Sequence, residues 1–309
     1  MKLILPPYAL TPDRFSQNEW IFEESEEAFQ ATEEFDGILD VGRSIGGAGK
    51  SATLLRRFLK RFPWHFDAFT HYGLLRLNER KTLEAYAFFH TAVALAKNCF
   101  PREFNPAKHR IPGGFVQNRP YLRALSNLMN CCDVMGDTER ASELGYELLS
   151  LDPDDRMNVR FELPKYLLGL GRYERASKLF ETRRYKDTFH MAIYLYPLVL
   201  LHLGKKKEAT AAILECLDYP QTARYLLNPD LPMPPPELSF GGLISGNEAE
   251  GFYFARQYLP YWIGCPQWVR RQPDVISRNT HINQDWSKRG NAGIDCGWNL
   301  SSPASPTER

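Results

Sequence analysis

Three glycines and three alanines constrain this chain more than anything else in it. Gly136, Gly171 and Gly204 recur at spacings of 35 and 33 residues, and Ala141, Ala176 and Ala209 each follow one of them by five. A fixed period in this range is the mark of stacked helix pairs. Glycine supplies the left-handed conformation that closes a first helix, and a small alanine lets the second helix lie close to the first. Leu128, Leu144, Leu148, Leu163, Leu167, Phe180, Leu200 and Ile213 fall at helical spacing and fill the layers between pairs. One pair cannot bury its apolar face alone, so neighbours complete each other's core. The stretch 66–97 fits the same plan through Gly73, Ala85, Phe89 and Ala92, and 51–62 reads as an amphipathic helix ended by Pro63.

Composition is that of an ordinary folded chain: 43% hydrophobic, 24% charged, net charge +1. No global field points to nucleic acid or to an anionic membrane. The longest apolar run, 194–203, is too short to cross a bilayer and contains a proline. MKLILPPYAL is too weakly apolar before its prolines for an export signal, so residence in the cytoplasm is expected. Cys99, Cys131, Cys132, Cys216, Cys265 and Cys296 form no C-x-x-C pair, and no H-E-x-x-H occurs. No metal, no cofactor and no catalytic residues are expected, since G-x-S-x-G is also missing.

Charge is segregated along the chain. Residues 13–40 carry ten carboxylates against Arg14, while 41–110 carry thirteen lysines and arginines against four acids. Either these are two solvated faces, or the acidic segment docks on the basic helices. Four regions follow: an acidic, irregular segment (1–40), a helical repeat domain (41–218), a proline-rich linker with an aromatic helical cap (219–275), and a disordered tail (276–309). The loop 98–117, with three prolines and two glycines, is long enough to be a candidate functional loop.

The repeat positions resemble the tetratricopeptide superfamily over roughly 50–218. IPGGFVQNRPYLRA (111–124) is similar to the I-P-W-G-x-x-E-N-R-P-Y-x-R-A block of a bacterial tetratricopeptide group, departing at Gly113 and Gln117. The segment 220–262 resembles the tail of that group and of the suppressor of tumorigenicity seven family. The resemblance implies an all-α, α-α superhelix of helical hairpins that interacts with partners rather than catalyses. It also implies that first helices line a concave groove, which places Asp67, Thr70, Arg123, Ser126, Asn130, Asp133, Asn158, Phe161 and Lys165 there. Amides would serve a peptide backbone and cations its acidic groups. The carboxylate clamp of chaperone-binding members is matched only at Asn130; Ser126 and Glu162 stand at two of its other positions.

Gln117, Asn118, Arg119 and Tyr121 are not explained by repeat packing. They either pin the loop 98–117 to the helices or form the rim of a binding site; pinning requires Arg119 to bond carbonyls of that loop. Two further readings compete with a protein-binding scaffold. GRSIGGAGKSA (42–52) resembles a phosphate-binding loop, but Ser44 stands where its first glycine belongs, and the preceding GILDV would have to be a strand. The clusters Arg56-Arg57-Lys60-Arg61, Arg183-Arg184-Lys186 and Lys205-Lys206-Lys207 could meet RNA phosphates. RNA readers interleave basic and aromatic residues on one face, and the lysine triplet sits in an inter-helix turn, where solvated lysines are ordinary, so nucleic acid is not the expected partner.

Overall fold

The computed structural model describes residues 7–16, 18–43, 47–181 and 194–216, together with Phe252, Tyr258, Tyr261 and Trp262. The chain divides into two compact units, Met1–Tyr166 and Leu167–Arg309. Nearly everything described of them is helical.

The first unit begins with an antiparallel hairpin, β1 (Tyr8–Pro12) and β2 (Trp20–Glu24), in which Leu10 faces Phe22 and Tyr8 faces Glu24. Alternation puts Tyr8, Leu10, Trp20 and Phe22 on the buried side. Helix α1 (Glu26–Arg43) follows, entered through Ser25, whose Oγ accepts the Ala28 N–H at 3.2 Å, with Glu26 and Glu27 in its first turn. Its buried stripe is Ala28, Ala31, Phe35 and Ile38. These elements correct the expectation of an irregular segment over 1–40. Ten carboxylates masked a short apolar stripe with helical spacing, and two-residue alternation was hidden in a stretch only five residues long.

Helix α2 (Gly47–Arg61) packs on α1, and Arg61 Nη1 meets Glu34 Oε1 at 2.7 Å, so the acidic segment does lie against the first basic helix. Helices α3 (Phe66–Asn78) and α4 (Thr82–Lys97) form the next hairpin, and α5 (Arg119–Val134) and α6 (Thr138–Leu151) another. Gly73 permits close approach between α3 and α4: a Cβ there would stand 2.7 Å from the Phe89 ring. Helix α7 (Val159–Gly169) runs through the division between the units. In the second unit lie α8 (Tyr173–Glu181), α9 (Leu195–His202) and α10 (Lys206–Cys216), with Tyr194 Oη donating to the Cys216 carbonyl at 2.7 Å. Phe252, Tyr258 and Trp262 are buried; the rest of the expected linker, cap and tail over 219–309 lies outside the described residues.

The periodic glycines do what their spacing requires. Gly136, Gly171 and Gly204 have φ of 82°, 67° and 73°. At each, the next residue's N–H returns to a carbonyl five residues back: Asp137 to Cys132, Arg172 to Leu167, Lys205 to Leu200. The α3–α4 turn is closed identically by Lys81 N–H to Arg76 O, but its left-handed residue is Arg80 at φ 60°. Ala85 follows Arg80 by the same five residues, and Ala85, Ala141, Ala176 and Ala209 are all fully buried. The α3–α4 hairpin therefore keeps the turn without its glycine, and Gly73, inside α3, is not the turn residue there.

His65 starts α3 with its ring. Nδ1 accepts the Ala68 N–H at 3.2 Å, and Nε2 lies 3.4 Å from Thr32 Oγ1. Tyr8, Phe35, Phe58 and Trp64 surround it. Burial pulls its pKa down from 6.5 to about 4, against the opposing pull of Asp67.

Two outcomes are expected. Arg80→Gly removes a left-handed side chain and raises the melting temperature by roughly 2–4 °C, equivalent to about 1 kcal/mol; a lower melting temperature would contradict the strained turn. Because the fold favours neutral His65, its contribution is complete above pH 6.5 and drains away as pH falls toward about 4, up to about 3 kcal/mol. His65→Asn keeps a capping acceptor but cannot titrate, so its melting temperature declines less steeply than that of the wild type over that window. Equal slopes would rule out the histidine as the cause.

Candidate functional site

The face built by α3, α5 and the start of α7 holds most of the expected groove residues, and it joins them in pairs. Arg123 reaches from α5 to Asp67 on α3 with two bonds, Nε to Oδ1 at 3.3 Å and Nη2 to Oδ2 at 2.9 Å. Lys165 reaches from α7 to Asp133 on α5 at 2.8 Å and to Glu162 at 2.9 Å. Burial would pull the Lys165 ammonium down, but the carboxylates of Glu162 and Asp133 outweigh it and raise its pKa. These pairs are partly buried, so desolvation offsets much of their attraction; their effect is to fix side-chain positions on successive first helices. Between them, Ser126 is partly exposed and Asn130 exposed, the latter with Oδ1 3.5 Å from Tyr166 Oη.

Three positions behave otherwise. Thr70 is fully buried and donates to the Phe66 carbonyl at 3.2 Å, so it serves the interior of α3 and not the face. A helical position one turn from Asp67 was read as outward, but the α3 wheel turns it toward the core. Asn158 is exposed with φ 59°, a turn residue ahead of α7, where an asparagine is among the side chains that tolerate the left-handed region. The side chain of Phe161 lies outside the described residues.

The block at the start of α5 is a clasp. Asn118 is fully buried at the N-cap, yet its side chain does not cap the helix. Its Oδ1 accepts the Phe22 N–H at 3.0 Å, and its Nδ2 donates to the carbonyls of Trp20 and Pro112, each at 3.0 Å. One amide thus supplies an acceptor and two donors to strand β2 and to the long loop, a combination no other side chain offers at that size. Arg119 Nε donates to the Gly113 carbonyl at 3.1 Å. This is the bond that pinning requires. Tyr121 is fully buried among Phe22 and Phe100, with its hydroxyl 3.4 Å from Glu147, so it belongs to the core. Gln117 remains exposed.

The loop itself is tied along its length. Trp20 N–H bonds Arg110 O at 2.9 Å, Ile111 N–H bonds Leu151 O at 2.8 Å, and Ser150 Oγ donates to Pro106 O at 3.2 Å. Gly113, where the resembling block has tryptophan, has no room for any side chain: a Cβ would stand 2.8 Å from Asp152 Oδ2 and 2.9 Å from Arg156 Cβ. Asp152 and Asp155 are both buried. Asp152 accepts the Arg156 N–H, and Asp155 accepts those of Val159 and Arg160 at the start of α7. Sequence reasoning passed over this acidic turn and over β2. The signals for them were Asp155 four residues before Val159, and the alternation of Trp20 and Phe22.

The glycine-rich stretch 42–51 is not arranged as a phosphate loop. GILDV is the second half of α1, not a strand, and Gly49, Lys50 and Ser51 lie inside α2. Ser51, whose hydroxyl would hold a metal ion, is buried against Gly42, where a Cβ would be 3.0 Å from its Oγ. Among the described residues no group of three or more His, Cys, Asp and Glu could hold a metal ion. No described helix is long and apolar enough to cross a membrane. Burial pushes the thiols of Cys99 and Cys131 up to about 12 and about 11.

Helical hairpins closed by left-handed turns, with first helices joined across one face by polar side chains, define a helical repeat protein of the tetratricopeptide kind. The family model described as "Transcriptional repressor TCF25" matches residues 20–238, and the chain belongs to that family. A search of curated proteins found no match. Among solved structures, the chain is similar to the MamA protein at 16% identity, covering 67% of this chain and all of that one, with a TM-score of 0.47. It is similar to a putative kinesin light chain with tetratricopeptide-like repeats from Podosopora anserina at 12% identity, covering 63% and 96%, with a TM-score of 0.45. It is also similar to the P58(IPK) tetratricopeptide domain at 13% identity, covering 86% and 72%, with a TM-score of 0.29. The narrower resemblances drawn from 111–124 and 220–262 rest on those blocks alone, and the matching family carries a different description.

The clasp gives a direct expectation. Asn118→Asp keeps size and acceptor but sets a carboxylate against the Trp20 and Pro112 carbonyls. It should destabilise the first unit by roughly 2–4 kcal/mol, read as a lowered urea midpoint. An unchanged midpoint would show that the amide is dispensable.

Proposed function

We propose that the chain is a non-enzymatic scaffold that binds an extended segment of a partner protein on the face of α3, α5 and α7. The observation that carries this reading is the pairing of Arg123 with Asp67 and of Lys165 with Asp133 and Glu162, with Ser126 and Asn130 left between the pairs. Side chains held in place before binding lose little freedom on binding. The cations already have carboxylate partners, so an acidic ligand would compete with Asp67 and Asp133. The groups offered to a partner are the hydroxyl and amide of Ser126 and Asn130, which suit a peptide backbone.

The description of the family, carried over to this chain, would have such a contact serve repression of transcription. Residence in the cytoplasm is the companion expectation from sequence. Nucleotide-dependent activity at 42–51 finds no support in the helical course of α1 and α2.

The double variant Ser126→Arg, Asn130→Arg fills the space between the pairs without touching Asp67, Arg123 or Lys165. Affinity capture with the full chain should lose partners with this variant and retain them with Lys178→Glu, an exposed change elsewhere. Identical partner lists from all three proteins would refute the face.

A further inference from the structure

Helix α2 carries Lys50, Arg56, Arg57, Lys60 and Arg61 and no acidic residue. At 3.6 residues per turn these five cations fall within an arc of about 140°, opposite buried Leu55 and Phe58. Two of them are engaged: Arg61 with Glu34 on α1, and Arg56 Nε with the Tyr72 hydroxyl at 3.3 Å. Lys50, Arg57 and Lys60 are exposed and have no hydrogen-bond or ion-pair partner among the described residues. They follow one stripe, with Thr53 between them, and Lys50 and Arg57 stand about 10 Å apart along the axis.

We propose that this stripe docks on the phosphate backbone of a nucleic-acid double helix. The face is cationic and hydroxylic only. None of the exposed large apolar side chains among the described residues lies on α2. A folded protein partner is held by an apolar, desolvated centre with aromatic or aliphatic anchors, and this face provides none. A phosphate backbone requires charge and little else. A single strand is gripped by aromatic platforms on which its bases stack; those are missing here too, whereas a duplex keeps its bases inside and presents phosphates alone. On the side of α1, Glu34 meets the stripe at Arg61, which takes up its charge. The inference is independent of the partner face on α3, α5 and α7.

The test is fluorescence anisotropy of the full-length chain with a labelled DNA duplex, an RNA duplex and a single strand, each of about 20 nucleotides, at salt between roughly 50 and 200 mM. Wild-type protein should bind the duplexes more tightly than the single strand. Lys50→Gln, Arg57→Gln, Lys60→Gln should weaken duplex binding at least about tenfold at low salt and flatten the logarithmic salt dependence by about 3. Lys205→Gln, Lys206→Gln, Lys207→Gln removes the same charge from another exposed site and should change neither. Equal losses in the two triple variants would overturn the proposal, as would an absence of wild-type binding at low salt. Binding of poly-glutamate as tight as that of duplex would also overturn it, and a preference for the single strand would exclude the duplex as the occupant. Circular dichroism melts verify that the three proteins are equally folded.

Discussion

The α3–α4, α5–α6, α7–α8 and α9–α10 hairpins each depend on one residue held at positive φ. That conformation turns the chain so that the following N–H finds the carbonyl five residues back, and it fixes where the second helix begins. The buried alanine then comes five residues later in every case: Ala85, Ala141, Ala176 and Ala209. A shift of one residue in the turn would rotate the second helix by about 100° and present a larger side chain to the contact. Register, contact distance and the direction of the apolar stripes all descend from this one backbone state. Arg80 shows that the state itself is what matters, since the turn persists there although glycine is gone.

A second constraint joins elements far apart in sequence. The hairpin β1–β2 could not stand alone, because two strands of five residues bury too little. It is held because Asn118 satisfies both a donor and an acceptor of β2, while Tyr121 and Phe100 pack against Phe22. The same amide holds the Pro112 carbonyl, so strand, loop and α5 share a single buried junction. The proposed partner face lies on the same helix, with Arg123 one turn beyond this junction. What fixes α5 therefore also fixes the pairs that α5 makes with α3 and α7.

The repeat was legible because glycine at positive φ and a small residue at a close contact are nearly compulsory, and compulsory residues leave a period. The pairing of Asp67 with Arg123 and of Asp133 with Lys165 was half legible. The positions followed from the hairpin template, but their mutual neutralisation depends on helix-to-helix distances that no single sequence states. Asn118 and Arg119 stood out as unexplained, and their pinning bonds resolve them. The hairpin and α1 were obscured by dense carboxylates, since acidic side chains outside the helix are cheap in solvent and say nothing of the stripe beneath. Thr70 was misplaced because on the α3 wheel it stands beside the buried Phe66 and Gly73, yet only about 60° from Asp67. Gly113 was seen as a departure from a pattern; the reason, contact with Asp152 and Arg156, belongs to packing alone.

The reach of the Asn118 clasp has a consequence for how the chain comes into being. The amide and the Phe22 N–H that it satisfies are 96 residues apart. On a ribosome the strand residues Trp20 and Phe22 emerge long before Asn118 does, by roughly 5–20 s at ordinary synthesis rates. Phe66, Phe100 and Phe104 emerge in between and cover part of these rings, but the Phe22 N–H and the Trp20 carbonyl lack their native amide until Asn118 appears. The helices α1 to α4 can close their turns locally as they appear, but the hairpin must wait for the first residues of α5. The strand is thus completed only when the first residues of α5 arrive, and its polar edge is the part that waits longest for its native partner.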